Sequence, residues 1–134
     1  MGSIEKPLRV VDLHADLPVD ITKRRARGEH GILEGYHLEK LKKGSVTTLI
    51  SPIWVESSYK PSGALKRSLQ IADALLEDLK ESTSFRLVRN CEEFLGAEAD
   101  GEIGLVLGVE GGEMIEDDLG LLRNFYRLGV RCFG

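Results

Sequence analysis

Two short stretches of this chain gather the side chains that could do chemistry. The first is Asp12-Leu13-His14-Ala15-Asp16, at the end of an apolar run. Side chains alternate along an extended strand, so Asp12, His14 and Asp16 are expected on one face. An imidazole and a carboxylate two residues apart can share a cation, and their nitrogen and oxygen donors suit zinc or a similar divalent ion. A run as apolar as Leu8–Leu13 has no packing reason to end in three polar residues. The second stretch is Gly108-Val109-Glu110-Gly111-Gly112. On the parity of Glu110 the preceding residues are Gly104, Val106 and Gly108, which are small, whereas Ile103, Leu105, Leu107 and Val109 on the other parity are bulky. That pattern is expected to leave room for ions and substrate below Glu110, while Gly111 and Gly112 let the backbone turn sharply beside a ligand. A carboxylate such as Glu110 can bridge two cations about 3.5–4 Å apart, where a shared water becomes a hydroxide nucleophile near neutral pH. His14, Asp16 and Glu110 are therefore the candidate metal ligands, with Glu110 also in a catalytic role. Three ligands do not fill two metal spheres, so others must come from elsewhere.

The remaining polar clusters read more simply. Glu113, Glu116, Asp117 and Asp118 are a solvated helix start, with Asp117 or Asp118 as the cap. The run Lys23-Arg24-Arg25-Ala26-Arg27 is a solvated face rather than an anion site. His30 and His37, set among glycines, are surface histidines, and Trp54 and Tyr59 are core or rim aromatics. Gly108-Val109-Glu110-Gly111-Gly112-Glu113 lacks the spacing of a phosphate loop and puts two acids where an anion would sit. No Gly-x-Ser-x-Gly elbow occurs, and neither Cys91 nor Cys132 has a histidine close in sequence. Both cysteines are expected to be reduced core thiols.

The elements that must position these residues alternate in type. Strands are expected at Leu8–Leu13, Val46–Val55 (interrupted by Pro52), Phe85–Val88 and Ile103–Val109, with another opening at Gly129–Gly134. Pro18 biases Leu17 towards an extended conformation, and the charged residues 19–45 read as a solvated helix or loop. Leu38 and Leu41 there suggest one inward-packing turn closed by Gly44. Leu65, Leu69, Ala72, Leu76 and Leu79 form an apolar helical stripe. A short helix follows near Glu92–Ala97, and a last one over Asp118–Leu128 turns Leu119, Leu122, Phe125 and Leu128 inward. Strand–helix alternation with strands apolar on both parities implies a parallel α/β sheet, either doubly wound or part of a (β/α)8 barrel. In both, the reactive edge is the carboxyl end of the strands.

Composition sets the outer limits. The 134 residues carry 22 acidic against 18 basic side chains and a formal net charge of -4. That excludes the basic footprint of a nucleic-acid binder and gives no polybasic membrane patch. Two cysteines are too few for a disulfide framework. The opening Met1–Val10 lacks the apolar stretch of a secretory signal, and Lys6 breaks the myristoylation pattern, so a cytoplasmic location is expected.

At these residues the sequence resembles the renal (membrane) dipeptidase family, the M19 zinc metallopeptidases. The resemblance is carried by Val10–Pro18 (VVDLHADLP), by Lys40-Leu41-Lys42-Lys43-Gly44, and above all by residues 104–131 (GLVLGVEGGEMIEDDLGLLRNFYRLGVR). It extends over nearly all of this chain but only the opening part of a family member. The resemblance implies a (β/α)8 TIM barrel with two zinc ions that hydrolyses dipeptides, often tolerating a D-residue at the C-terminal position. Carried over by motif, His14 and Asp16 would bind one zinc, Glu110 would bridge the pair, and Asp12 would support the ligands from behind. The family's other metal histidines and its substrate-binding residues lie beyond residue 134. Around Leu49-Ile50-Ser51 the chain departs from the family's Gln-x-Trp or Gln-x-Phe. Because such a barrel needs about 250 residues, residues 1–134 are expected to form one partial domain of four βα units and the start of a fifth strand. On its own that half is expected to hold zinc weakly or not at all and to show no turnover. A homodimer is compatible with this reading. Two alternatives stand beside the dipeptidase: a related metal-dependent hydrolase of another amide, ester or lactone, and a catalytically inert half-barrel or interaction module.

Overall fold

The computed structural model describes residues 8–134; the N-terminal signal and acylation readings rest on residues 1–7 and so lie outside the described residues. Along the chain run β1 (Val10–Asp12), α1 (Leu17–Arg25), a π-helical turn (Leu33–His37) leading into α2 (Leu38–Lys43), β2 (Val46–Trp54) and α3 (Ala64–Lys80). Then follow β3 (Phe85–Leu87), α4 (Cys91–Asp100), β4 (Ile103–Glu110), α5 (Leu119–Leu128) and β5 (Val130–Phe133). All strand pairs are parallel, as α/β alternation requires. The order in the sheet is not the chain order. β1 pairs β2 and β2 pairs β4, while β3 and β5 share the far edge of β4, β3 along Ile103–Leu105 and β5 along Leu107–Val109. At the carboxyl end the neighbours are therefore β1, β2, β4 and β5, and β3 fills the lower part of one edge.

The core lies between the sheet and the helices that cover one of its faces. Leu105, Leu107 and Val109 of β4 meet Leu49 and Ile53 of β2, Ile71 and Leu75 of α3, and Phe125 of α5. Pro52 does not interrupt β2. Ile50 turns its carbonyl towards β1, where it accepts from Ala15 N–H, so Pro52, two residues on, faces the same way. There β2 has outrun β1, and the missing N–H breaks no ladder.

Several expectations are corrected. Leu17 is helical rather than extended, because Pro18 falls in the first turn of α1, where amides have no intrahelical partner. The charged residues 19–45 hide buried Ile21, Ile32 and Leu33, so this stretch is part of the core and not only a solvated face. Helix α3 forms, but its buried face is Ala64, Ser68, Ile71, Ala72, Leu75 and Asp78, and Leu69 is exposed. Two polar residues in that row shifted the apparent apolar stripe by one position. In α5 only Phe125 of the four expected residues is buried; Leu119 and Leu128 are exposed. Cys91 and Cys132 are free but exposed, at the start of α4 and on the outer strand β5, not core thiols. Gly44 does end α2. Among the described residues, no helix is long and apolar enough to cross a membrane.

Candidate metal centre

β1 and β4 end at the same edge of the sheet, with β2 between them, and each delivers part of one cluster. β1 pairing stops at Asp12. Asp12 Oδ1 accepts from His14 N–H at 3.0 Å and so fixes the turn that follows the strand. Ala15 is then held to β2 at both of its polar backbone atoms. Its N–H donates to Ile50 O at 2.9 Å, and its carbonyl accepts from Ser51 Oγ at 2.8 Å. Ala15 packs against the core, while its neighbours His14 and Asp16 stay exposed. Asp16 is the N-cap residue of α1, yet its carboxylate makes no capping hydrogen bond. A side chain usually committed to helix amides is thereby left for the cluster. Glu110, the last residue of β4, stands in register with Trp54 of β2.

These elements bring three side chains together. His14 Nε2 lies 3.2 Å from Asp16 Oδ1 and 3.3 Å from Glu110 Oε2. One donor atom from each of His14, Asp16 and Glu110 lies within 4.8 Å of the others. The side chains are 54%, 64% and 45% exposed, so a cation and a small substrate can reach them. The donor set fits a divalent cation: one imidazole nitrogen and two carboxylates converge within 4.8 Å. The expected trio is thus gathered, although Asp16 arrives through the turn into α1 and not by strand alternation. Asp12 does not join the donors and instead bonds the backbone of His14.

The space expected below Glu110 is partly filled. A Cβ at Gly104 would meet Val88 Cγ2 at 3.1 Å and Thr48 Oγ1 at 3.4 Å, and one at Gly108 would meet Ile50 Cγ2 at 3.4 Å. These glycines admit neighbouring side chains instead of leaving a cavity. Gly111, at φ 89°, does make the sharp turn expected after Glu110. The Glu113 carboxylate folds back over it, and Lys60 Nζ donates to Glu113 Oε1 at 2.8 Å. The Lys60 ammonium holds the Glu113 carboxyl below its ordinary value. The same ammonium lies 5.9 Å from the ring of the half-buried Trp54, so the loop after β2 is strapped to the loop after β4 beside the cluster.

The other polar candidates are structural. His37 is not a surface residue: its Nε2 lies 3.0 Å from Asp20 Oδ2 with only 16% of the side chain exposed. Burial pushes its imidazole below the ordinary value, against the opposing pull of Asp20. His30 is exposed and lies 3.3 Å from Glu81. In the basic run, Arg24 pairs with Asp20 and Glu29, and Arg25 with Asp78 and Glu81. Asp118 caps α5 through Gly120 N–H at 2.6 Å. Tyr59 is exposed and stacks under Arg67. Ser51 and Lys60 had no signal of their own in the sequence, because both act across strands whose register no local pattern states.

Comparison with known proteins bears on the family and the fold. Dipeptidase 3 of Macaca fascicularis is 27% identical over 128 residues, which span 91% of this chain and 26% of that protein. Dipeptidase verJ of Clonostachys rogersoniana is 34% identical over 77 residues, 58% of this chain and 19% of that protein. The chain thus spans about a quarter of the length of the curated relatives it matches. Among solved structures, a metallopeptidase from Rhodobacter sphaeroides, liganded with a phosphinate mimic of the dipeptide L-Ala-D-Ala, superposes with a TM-score of 0.83. Its identity is 22%, over 96% of this chain and 45% of that one, so the likeness is one of fold. Dipeptidase AC, described as an M19 metallopeptidase, superposes equally well at 24% identity over 96% of this chain and 43% of its own. Residues 2–134 match the membrane dipeptidase family throughout, and the chain belongs to that family, peptidase family M19.

Proposed function

We propose that the protein is a metal-dependent dipeptidase whose cations, zinc by choice of donors, are held in part by His14, Asp16 and Glu110. The observation that carries this reading is the convergence of one imidazole nitrogen and two carboxylates within 4.8 Å at the carboxyl edge of a parallel sheet. His14 Nε2 and an Asp16 oxygen would serve one cation, and Glu110, with two oxygens, would be shared with a second. When bound, such ions supply Lewis acidity that polarises a peptide carbonyl and lowers the pKa of a water to near neutrality. The chain's own part is to orient the donors. Asp12 fixes the His14 backbone, and Gly111 turns the chain away so that Glu110 points to the cluster. Trp54 and the Lys60–Glu113 pair border the approach, on a rim able to meet both the charged and apolar parts of a dipeptide.

Hydrolysis places one water across the peptide C–N bond and releases two amino acids. A dipeptide panel that includes L-Ala-D-Ala, assayed on the polypeptide that carries this chain, tests the reading. Amino-acid release that chelator abolishes, zinc restores and Glu110→Gln removes is expected. Release indifferent to chelator, or no release from any dipeptide, contradicts it.

A further inference from the structure

We infer that Ser51 is a positioning residue for the metal cluster, acting by locking the peptide unit between His14 and Asp16. The inference rests on reading those two residues as metal ligands. Ser51 lies in β2 on the same parity as the fully buried Leu49 and Ile53, between them, and it is itself fully buried. A buried hydroxyl without a partner is costly, so serine at this place implies a specific acceptor. That acceptor is Ala15 O, at 2.8 Å.

The ladder between β1 and β2 has already ended at Asp12, so the Ala15 carbonyl meets no strand amide. It accepts from Leu17 N–H at 2.8 Å within its own turn, and Ser51 is the partner that ties it to the sheet. The Ile50 carbonyl takes the Ala15 N–H and the Ser51 hydroxyl takes the Ala15 carbonyl. Consecutive residues of β2 thus hold one peptide segment from both ends. With Ala15 held and its methyl against the core, the Cα–Cβ directions of His14 and Asp16 on either side of it are restrained towards Glu110. A backbone held only through N–H would pivot, and donor atoms a few ångströms apart would lose their common focus.

The test compares the polypeptide that carries this chain with its Ser51→Ala, Ser51→Cys (similar volume, weak donor) and Ile71→Val variants, the last a core control on α3. Two readouts are taken well below every unfolding temperature: zinc affinity by titration, and amide hydrogen exchange at Ala15 in the metal-free chain. Ser51→Ala is expected to weaken zinc binding about tenfold and to speed Ala15 exchange about tenfold. Ser51→Cys should do the same to a lesser degree, and Ile71→Val should lower thermal stability but change neither readout. If Ser51→Ala loses too much stability to study, Ser51→Cys alone decides. Unchanged affinity and exchange in the serine variants overturn the inference and leave the metal reading standing. Absence of zinc binding in the unmodified polypeptide that carries this chain overturns the metal reading instead, and Ala15 exchange then decides whether Ser51 holds the segment.

Discussion

At the scale of the residue, the chemistry is concentrated in side chains that are exposed, while the strongest electrostatics lies elsewhere. Glu81 accepts from Gly31 N–H at 2.8 Å and pairs with Arg25 and His30, and these partners, the amide first, lower its carboxyl to about 2 from an ordinary 4.5. The folded state therefore keeps Glu81 ionised where the unfolded chain protonates it. Its stabilisation is complete above pH 4.5 and is lost as pH falls towards about 2. Urea midpoints measured across that window should fall more steeply in the native protein than in Glu81→Gln; parallel curves would contradict the assignment. His14, Asp16 and Glu110 were legible in the sequence because their types, their spacing and the apolar strands before them coincide. Ser51 was not, since its value lies in which carbonyl of the neighbouring segment falls within reach of its hydroxyl once the strands are in register. His37 was misread for a similar reason: the partner that buries it, Asp20, is set by the packing of a π-helical turn on α1.

At the scale of the element, the charged stretch between β1 and β2 is fastened by a single buried carboxylate. Asp78 of α3 is fully buried and accepts from Ile32 N–H at 3.0 Å, Leu33 N–H at 2.7 Å and Arg25 Nη1 at 3.1 Å. The amides open the π-helical turn, so a side chain from another helix does the work of an N-cap. Asp78→Ala would strand both amides and leave Arg25 without its buried partner, at an expected cost of about 3 kcal/mol in denaturant unfolding. A loss below the cost of one ordinary hydrogen bond would contradict the role. Asp118→Ala, by contrast, removes one exposed cap of α5 and should cost about 1 kcal/mol. The α3 helix itself was plain from its periodicity, but its true inward face was not. Asp78 and Ser68 occupy that face, and a pattern built on apolar residues alone selects the neighbouring row.

At the scale of the whole molecule, His14, Asp16 and Glu110 come together only because β1 and β4, distant in sequence, end at one edge with β2 between them. Alternation of strands and helices made the parallel α/β class legible. It did not show that β3 is a short edge strand below β5, because strand order depends on which edges meet and not on which segments are extended. The same register puts Trp54 beside Glu110 and lets Lys60 reach Glu113. That strap should matter to the site more than to the fold. Lys60→Met is expected to lower zinc affinity several-fold with little change in unfolding midpoint, as exposed ion pairs contribute little to stability. A large fall in the midpoint with unchanged affinity would reverse that assignment. The central claim, that His14, Asp16 and Glu110 form one metal site, is tested most directly by zinc titration of the polypeptide that carries this chain and of its three single alanine variants. The account predicts saturable binding by the unmodified protein and loss of that binding in each of His14→Ala, Asp16→Ala and Glu110→Ala while the fold persists. Affinity equal to that of the unmodified protein in any of the three would contradict it.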